Sequence, residues 1–572
     1  MADGHTRPKL FDGEGLTLAF LAFIAAILFG LPLFLLLKTG LSGDAGWSLT
    51  PVFEAFQSRS VLRALWNSLE SSFLSALLAL FIGAVLALIV GLTDVRWKAV
   101  TVFLILLPMM IPPHVTAIAW IQALGPSSPV LRWLGLAPEL GATHPIYSRE
   151  GLVFLLAVQH SPLVFLVVRA GLRGLPRDLF DAARVSGAGA LMLGHRILLP
   201  LLLPSLVAGF ALAFVSALGN FGITALIGIP ARYTTLPVLI WRRLASFGPD
   251  VLGDVAVLAV IVAIVAIFAV TMQILWQNRT RLGLVGQSGR PLEIALGRWR
   301  PAMEILLAAV IAVTLVLPLS SLIATSLVKT YGLPLAFETF TLDNFTEILF
   351  RQSVTVRAFA NSTLIAGCAA ALLAFFAILI GYYMQKRGRS RWLAGGVAGM
   401  GDIAYAIPGL VISIGFILAF IRPLPLIDRS LYGTGGIILI AYLCAFFAIA
   451  LKPVGAAYAQ LDRSLDDAAR VSGARFYLRI RSVFFPLILP AAASGAILVF
   501  LTAYNEVTVS ALLWSTGNET IGTTIFNYED GGYTTLASAM ASLTVLATIV
   551  LMLGLNLASG RLPAGVIPWR ND

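Results

Sequence analysis

The eight residues DAARVSGA occupy positions 181–188, and the same eight letters return at 467–474. The second copy begins 286 residues after the first (181 to 467), which is half of the 572-residue chain. At the same offset Pro200 matches Pro486, Leu203-Pro204 matches Leu489-Pro490, and Gly209 matches Gly495. A register held over that length marks an internal duplication, with a period far longer than that of a solenoid. Weaker echoes lie upstream. Asn67-Ser68 and Asn361-Ser362 each open a long apolar helix, 294 residues apart (67 to 361), and the Ile-Pro-Pro at 111–113 corresponds to the Ile-Pro-Gly at 407–409. Loop lengths therefore differ between the copies.

Composition sets the class in which this duplication is read. Hydrophobic residues make up 59% of the chain, charged residues 12%, and the mean hydropathy is +0.91. These values lie beyond those of soluble domains. Apolar runs of about 20 residues, enough to cross a bilayer, recur along the whole sequence. The first, near residues 16–37, exceeds a signal-peptide core and has no small-residue cleavage site after it, so it reads as a retained span. The expectation is an all-α polytopic membrane protein of about 12 transmembrane helices in two six-helix repeats. An even number of spans per repeat makes the copies parallel and predicts a pseudo-two-fold axis along the membrane normal. The first half is placed at 1–278 with its loop at 176–204, a basic cytosolic linker at 279–303, and the second half at 304–572 with its loop at 462–490.

Charge gives the orientation. With both termini cytosolic, the inner side collects Arg7, Lys9, Arg96, Lys98, the basic loops 169–196 and 452–481, the linker, residues 386–391, Arg561 and Arg570. That is about two-thirds of all Lys and Arg, as the positive-inside rule requires. The net charge of +11 is accounted for in this way, without nucleic acid. Cys368 and Cys444 sit in separate apolar runs and read as buried, reduced residues, with no disulfide framework or metal site.

Each repeated loop reads as two short helices broken by glycine. Pro176 suits a helix start, Asp178 and Asp181 favour the positive end of the helix dipole, and Ala182-Ala183 are strong helix formers. Gly187 marks a turn after about Ser186, a second helix runs from Ala188 toward Ile197, and Pro200 is expected to end or kink it. The second copy repeats the plan with Asp466, Asp467, Gly473 and Pro486. Such a helix could simply cap the bundle or could dock into a groove on another protein; identical letters in both halves favour docking, because a cap needs only hydrophobic period.

These residues resemble the EAA loop of binding-protein-dependent importer permeases, whose pattern is E-A-A, three residues, G, nine residues, then I-x-L-P. The first copy matches through Asp181, Ala182, Ala183, Gly187, Ile197, Leu199 and Pro200. The second matches through Asp467, Ala468, Ala469, Gly473, Val483, Phe485 and Pro486, with Val and Phe where the pattern has Ile and Leu. Both carry Asp for Glu. The resemblance covers nearly the whole chain and is closest to the fused, two-core iron(III) permeases, with thiamine and phosphonate permeases as near relatives and a polyamine a further alternative cargo. It implies that the loops couple the spans to two copies of an ABC ATPase, that a periplasmic binding protein delivers the cargo, and that one copy of this chain serves each transporter in a bacterial inner membrane. No phosphate-binding G-x-x-x-x-G-K-[ST] surrounds any lysine, so the chain is read as a transport subunit and not an enzyme, with no bound cofactor; ATP and Mg belong to the partner subunits.

Polar groups inside spans are costly and so mark a possible pathway. Asn220 matches Glu506 at the 286-residue offset (220 to 506), with Asn505 beside it. A pathway role and interhelical hydrogen bonding are both open for these. Pro112 and Pro408 mark broken helices whose freed backbone could line a cavity, with Tyr405 just before the second break. His160 reads as a packed residue, not a metal ligand. An ion-coupled secondary transporter would show the same span count but would need several intramembrane carboxylates, where Glu506 is nearly alone.

Overall fold

The computed structural model describes residues 13–43, 46–126, 128, 131–132, 134–139, 142–173, 175, 177–246, 250–279, 293–424, 428–462, 464–558 and 566. Pro176, linker residues 280–292, Arg7, Lys9, Arg561 and Arg570 lie outside them. Ten helices among the described residues are long and apolar enough to cross a membrane, or up to twelve if each of two bent pairs is one span. Strand pairing is confined, among the described residues, to Ser42–Gly43 with Gly46–Trp47 and two isolated bridges.

The bent pairs are the third span of each expected six. Lys98–Met110 turns by 101° into Pro113–Leu124, and Arg389–Ala406 by 113° into Gly409–Phe420. The cause is local. A proline ring disfavours the helical region for the residue before it, and Ile111 and Ile407 are extended at ψ 132° in both cases. Pro112 and Pro408 follow at ψ 139°. The breaks expected from sequence therefore have the same backbone in both repeats.

The chain divides into two compact units whose boundaries are not those of the sequence repeat. One unit comprises Met1–Ser48, Val356–Thr523 and Leu546–Asp572. In it the first helix of the chain packs on second-repeat helices: Pro32 lies against Gly415, where an added Cβ would come 3.0 Å from the Pro32 carbonyl oxygen. Phe29 meets Phe447 edge to face at 5.3 Å. The other unit comprises Leu49–Thr355 and Thr524–Val545, so the first span of the second repeat, Gly297–Ser326, belongs with first-repeat helices. There Arg59–Leu92 packs on Arg149–Arg173 and on Leu199–Leu218. Gly83 allows that approach, since a Cβ there would lie 2.6 Å from the Ser161 carbonyl oxygen. Small residues at such contacts let backbones approach and gain dispersion, the main attraction available between helices in lipid.

The paired Asn-Ser signals sit inside their helices, not at the starts. In one unit Asn67 Nδ2 donates to the Thr234 carbonyl at 2.9 Å, and Ser68 Oγ accepts from the Leu236 amide at 2.7 Å. In the other unit Asn361 Nδ2 donates to the Gly517 and Glu519 carbonyls at 3.1 and 3.0 Å, and Ser362 Oγ accepts from the Ile521 amide at 2.9 Å. Each pair supplies partners to the start of the helices Leu236–Leu244 and Ile521–Asp530.

Pro200 does not end its helix. A single π-turn, Gly194–Leu198, precedes Leu199–Leu218, and Leu199 donates five residues back to the Gly194 carbonyl. Widening the turn clears the proline ring from the carbonyl four residues earlier, which an α-turn would crowd. Ile480–Phe484 does the same ahead of Pro486. The first span of each repeat repeats the device, with Ala26–Gly30 before Pro32 and Ala312–Val316 before Pro318.

Candidate functional site

Both repeated loops fold as the sequence requires, and they fold alike. The first helices of the two loops are Arg177–Val185 and Ser464–Val471. Each ends in a Schellman turn: Gly187 donates to the Arg184 carbonyl at 2.9 Å and Ala188 to the Ala183 carbonyl at 2.9 Å, while Gly473 donates to Arg470 at 2.9 Å and Ala474 to Ala469 at 3.0 Å. The turn needs positive φ, +85° at Gly187 and +78° at Gly473, which glycine adopts without strain. Ser186 and Ser472 hydroxyls donate back to Ala182 and Ala468 carbonyls at 2.9 Å.

The exposed faces also match. Val185 and Val471 are each 90% exposed, and Ala182, Ala468 and both turn glycines are exposed beside them. Leu191 and Tyr477, equivalent at the same 286-residue offset, add a second exposed apolar residue past the turn. Ala183, Ala469, Ile197 and Val483 are half-buried, and Pro200 and Pro486 are exposed. Asp181 lies 3.9 Å from Arg184, and Asp467 is exposed on the first turn of its helix. An exposed apolar residue held out by a glycine turn is a shape that can dock into a groove.

Beneath these faces the two loops differ. Phe180 and Leu193 bury the first loop against Leu92, Val95, Leu172 and Leu175. At the equivalent positions of the second loop stand Asp466 and Arg479. Arg479, its side chain only 8% exposed, lies 2.7 Å from Glu14 Oε2 and 3.2 Å from Asp466 Oδ1, and donates to Tyr382 Oη at 3.1 Å. Lys386 Nζ lies 2.6 Å from Asp466 and 3.3 Å from Glu14. Arg470 lies 2.9 Å from Asp466 and 3.4 Å from Glu14. Burial raises the Asp466 carboxyl, but the Lys386 hydrogen bond and the Lys386, Arg470 and Arg479 charges outweigh it and hold the group below its ordinary range. Sequence reading placed the cations here as inward-facing charge and did not connect them to Glu14.

Among the intramembrane candidates, Asn220, Asn505 and Glu506 are held in local hydrogen bonds. Asn220 Oδ1 accepts from the Ile223 amide at 3.0 Å, and Glu506 accepts from the equivalent Val509 amide at 2.5 Å and from Ser510 at 3.1 Å. Both side chains thus close the same turn after the fifth span of their repeat. Asn505 Nδ2 donates to the Leu501 carbonyl at 3.3 Å. Tyr405 is half-exposed, with Lys452 Nζ 5.2 Å from its ring centre and Asp402 3.9 Å from the same lysine. Pro112 and Pro408 are buried at the two breaks. His160 Nδ1 donates to the Leu156 carbonyl at 2.7 Å, within its own helix.

Two like-built helical repeats, each presenting one exposed apolar residue at the same place, make a two-core polytopic membrane protein. The profile described as "Binding-protein-dependent transport system inner membrane component" matches residues 79–282 and 377–566, and the chain belongs to that family, carrying its domain twice. It is a permease of an ABC importer. The probable ABC transporter permease protein y4fN of Sinorhizobium fredii is 24% identical over 532 residues, covering 90% of this chain and 90% of that protein. The ferric transport system permease protein FbpB of Actinobacillus pleuropneumoniae is 24% identical over 470 residues, covering 80% of this chain and 66% of that protein. Among solved structures, that of a bacterial ABC transporter involved in the import of the acidic polysaccharide alginate is 19% identical, with a TM-score of 0.36 over 46% of this chain and 97% of that one.

Proposed function

We propose that one copy of this chain forms the whole membrane passage of an importer for iron(III), and that each docking helix seats on one of two ABC ATPase subunits. The carrying observation is the pair of identical exposed knobs, Val185 and Val471, each set by a glycine at positive φ. Closure of the ATPase pair pushes on both helices, and the push reaches the spans through Asp181, Ala182, Ala183, Gly187, Ile197 and Pro200 on one side and Asp467, Ala468, Ala469, Gly473, Val483 and Pro486 on the other. ATP and Mg are bound by those partner subunits and no cofactor by this chain. A periplasmic binding protein delivers the cargo to a chain embedded in the bacterial inner membrane with both termini cytosolic.

Iron(III) is favoured by the ferric transport permease among the relatives that match across most of the chain. Selectivity for the cation rests with the binding protein, because a tight site in the spans would oppose release. The bends at Pro112 and Pro408, the turns closed by Asn220 and Glu506, and the polar side chains of Asn505 and Tyr405 shape the path. Proteoliposomes holding the complete transporter test the reading: ATP-driven uptake of iron(III) in the presence of the binding protein supports it, and uptake of a phosphonate, thiamine or polyamine in its place removes the iron assignment. Gly187→Arg with Gly473→Arg is expected to abolish uptake and ATPase association while the chain still inserts; uptake that persists would overturn the docking role.

A further inference from the structure

The charged cluster under the second docking helix joins three segments far apart in sequence: Glu14 on the first helix of the chain, Lys386 after the Ser353–Met384 helix, and Asp466, Arg470 and Arg479 in the loop. We infer that Glu14 is a positioning residue for the second docking helix, holding it to the first span through Arg470 and Arg479, so that force on this one loop is carried by ion pairs. The inference rests on the docking role proposed above.

The geometry gives the carboxylate that task. Its two oxygens meet three cations, at 3.3 Å to Lys386, 3.4 Å to Arg470 and 2.7 Å to Arg479. The Tyr383 hydroxyl donates to the Glu14 backbone carbonyl at 2.6 Å and fixes the helix end that carries it. Arg479 Nη1 also donates to the Ala474 carbonyl at 3.1 Å, in the residue that closes the glycine turn. A path of short contacts thus runs from the turn, through Arg479 and Glu14, into the first helix. Lys386 is further held over the Tyr382 ring at 4.2 Å.

The first repeat supplies a built-in control. The residue equivalent to Glu14 is Arg300, which lies 3.7 Å from Asp94 and 3.1 Å from Glu304. A pairing of the first span with the residue two past the end of the second-span helix is kept with its charges reversed, Arg300 to Asp94 in place of Glu14 to Lys386. The loop there is packed by Phe180 and Leu193 instead. Ion pairs of similar kind therefore exist with and without a loop attached.

The test compares Glu14→Gln with Arg300→Gln in the full chain. Spin labels at Val471→Cys and Val185→Cys, with Cys368 and Cys444 replaced by serine, read loop motion directly in lipid nanodiscs. Glu14→Gln is expected to raise mobility at 471 about threefold and leave 185 unchanged, and Glu14→Asp to restore at least half of the order. Arg300→Gln is expected to move neither label. In the complete transporter, Glu14→Gln should lower cargo transported per ATP hydrolysed several-fold with ATPase subunits still bound. Equal mobility in wild type and Glu14→Gln, or the same rise in Arg300→Gln, overturns the inference. Raised mobility at 471 with an unchanged transport-to-ATP ratio overturns the force-carrying claim, whereas two ATPase subunits still bound to Gly473→Arg would instead overturn the docking role on which it rests. If Glu14→Gln fails to assemble, Arg470→Gln with Arg479→Gln removes the other ends of the same pairs and reads the same label, and an unchanged label there also overturns it.

Discussion

At position 180 the first loop carries phenylalanine where the second has Asp466, and at 193 it carries leucine where the second has Arg479. Above those positions the letters are the same: eight residues are identical, the glycine turn closes with the same hydrogen bonds, and valine projects equally from both. Around the glycine turn the exposed face has kept its letters, while the face that meets the spans has changed its chemistry completely. Two identical ATPase subunits would impose one shape on both knobs. The anchors answer only to local packing, so apolar burial serves on one side and a charge network on the other.

That contrast can be broken in graded steps. Phe180→Ala should have the largest effect on the fold, a loss of about 3 kcal/mol from an unfilled cavity in a packed cluster, read as a lower Tm that does not change with salt. Arg479→Met comes next, at about 2 kcal/mol, because it strands the Glu14 and Asp466 carboxylates next to two remaining cations in a half-buried site. Its Tm deficit should shrink at high salt, unlike that of Phe180→Ala. Salt alone is a smaller perturbation: raising it from about 0.05 M to about 0.5 M should increase label mobility at position 471 and leave position 185 untouched, since only the second anchor is electrostatic.

The smallest effect concerns pH. The Asp466 carboxyl is held below its ordinary value in the folded chain, so its contribution is fully present above the unfolded pKa of about 3.9 and is lost as pH falls through the folded value. Between about pH 8 and pH 5 the label at 471 should show no change, with loosening only below about pH 4. A transition near pH 6 to 7 would mean that some other group governs the clamp.

Sequence reading reached the duplication, the span order, the two helix breaks and the helix-and-glycine-turn form of the loops because each has a local cause: identical letters, apolar length, a proline after isoleucine, a glycine at a positive-φ turn. It missed what depends on distant residues. Nothing in residues 13–40 says that this helix packs on Gly415 and Phe447, since an apolar helix in lipid finds its seat by shape, and the repeat boundary pointed to its own half. Glu14 and Arg479, 465 residues apart, read separately as ordinary charges near a membrane surface. The π-turns were within reach. Leu31-Pro32 and Leu317-Pro318 keep the same 286-residue offset as Pro200 and Pro486, and the expected kink at Pro200 was replaced by a widened turn that lets the helix continue.

The claim that both loops of one chain are equivalent docking sites is tested most directly by native mass spectrometry of the purified transporter. One copy of this chain with two ATPase subunits is the predicted mass, falling to one subunit with Gly473→Arg alone and to none when Gly187→Arg is added. Two copies of this chain in the complex, or two ATPase subunits retained by the double variant, would contradict it.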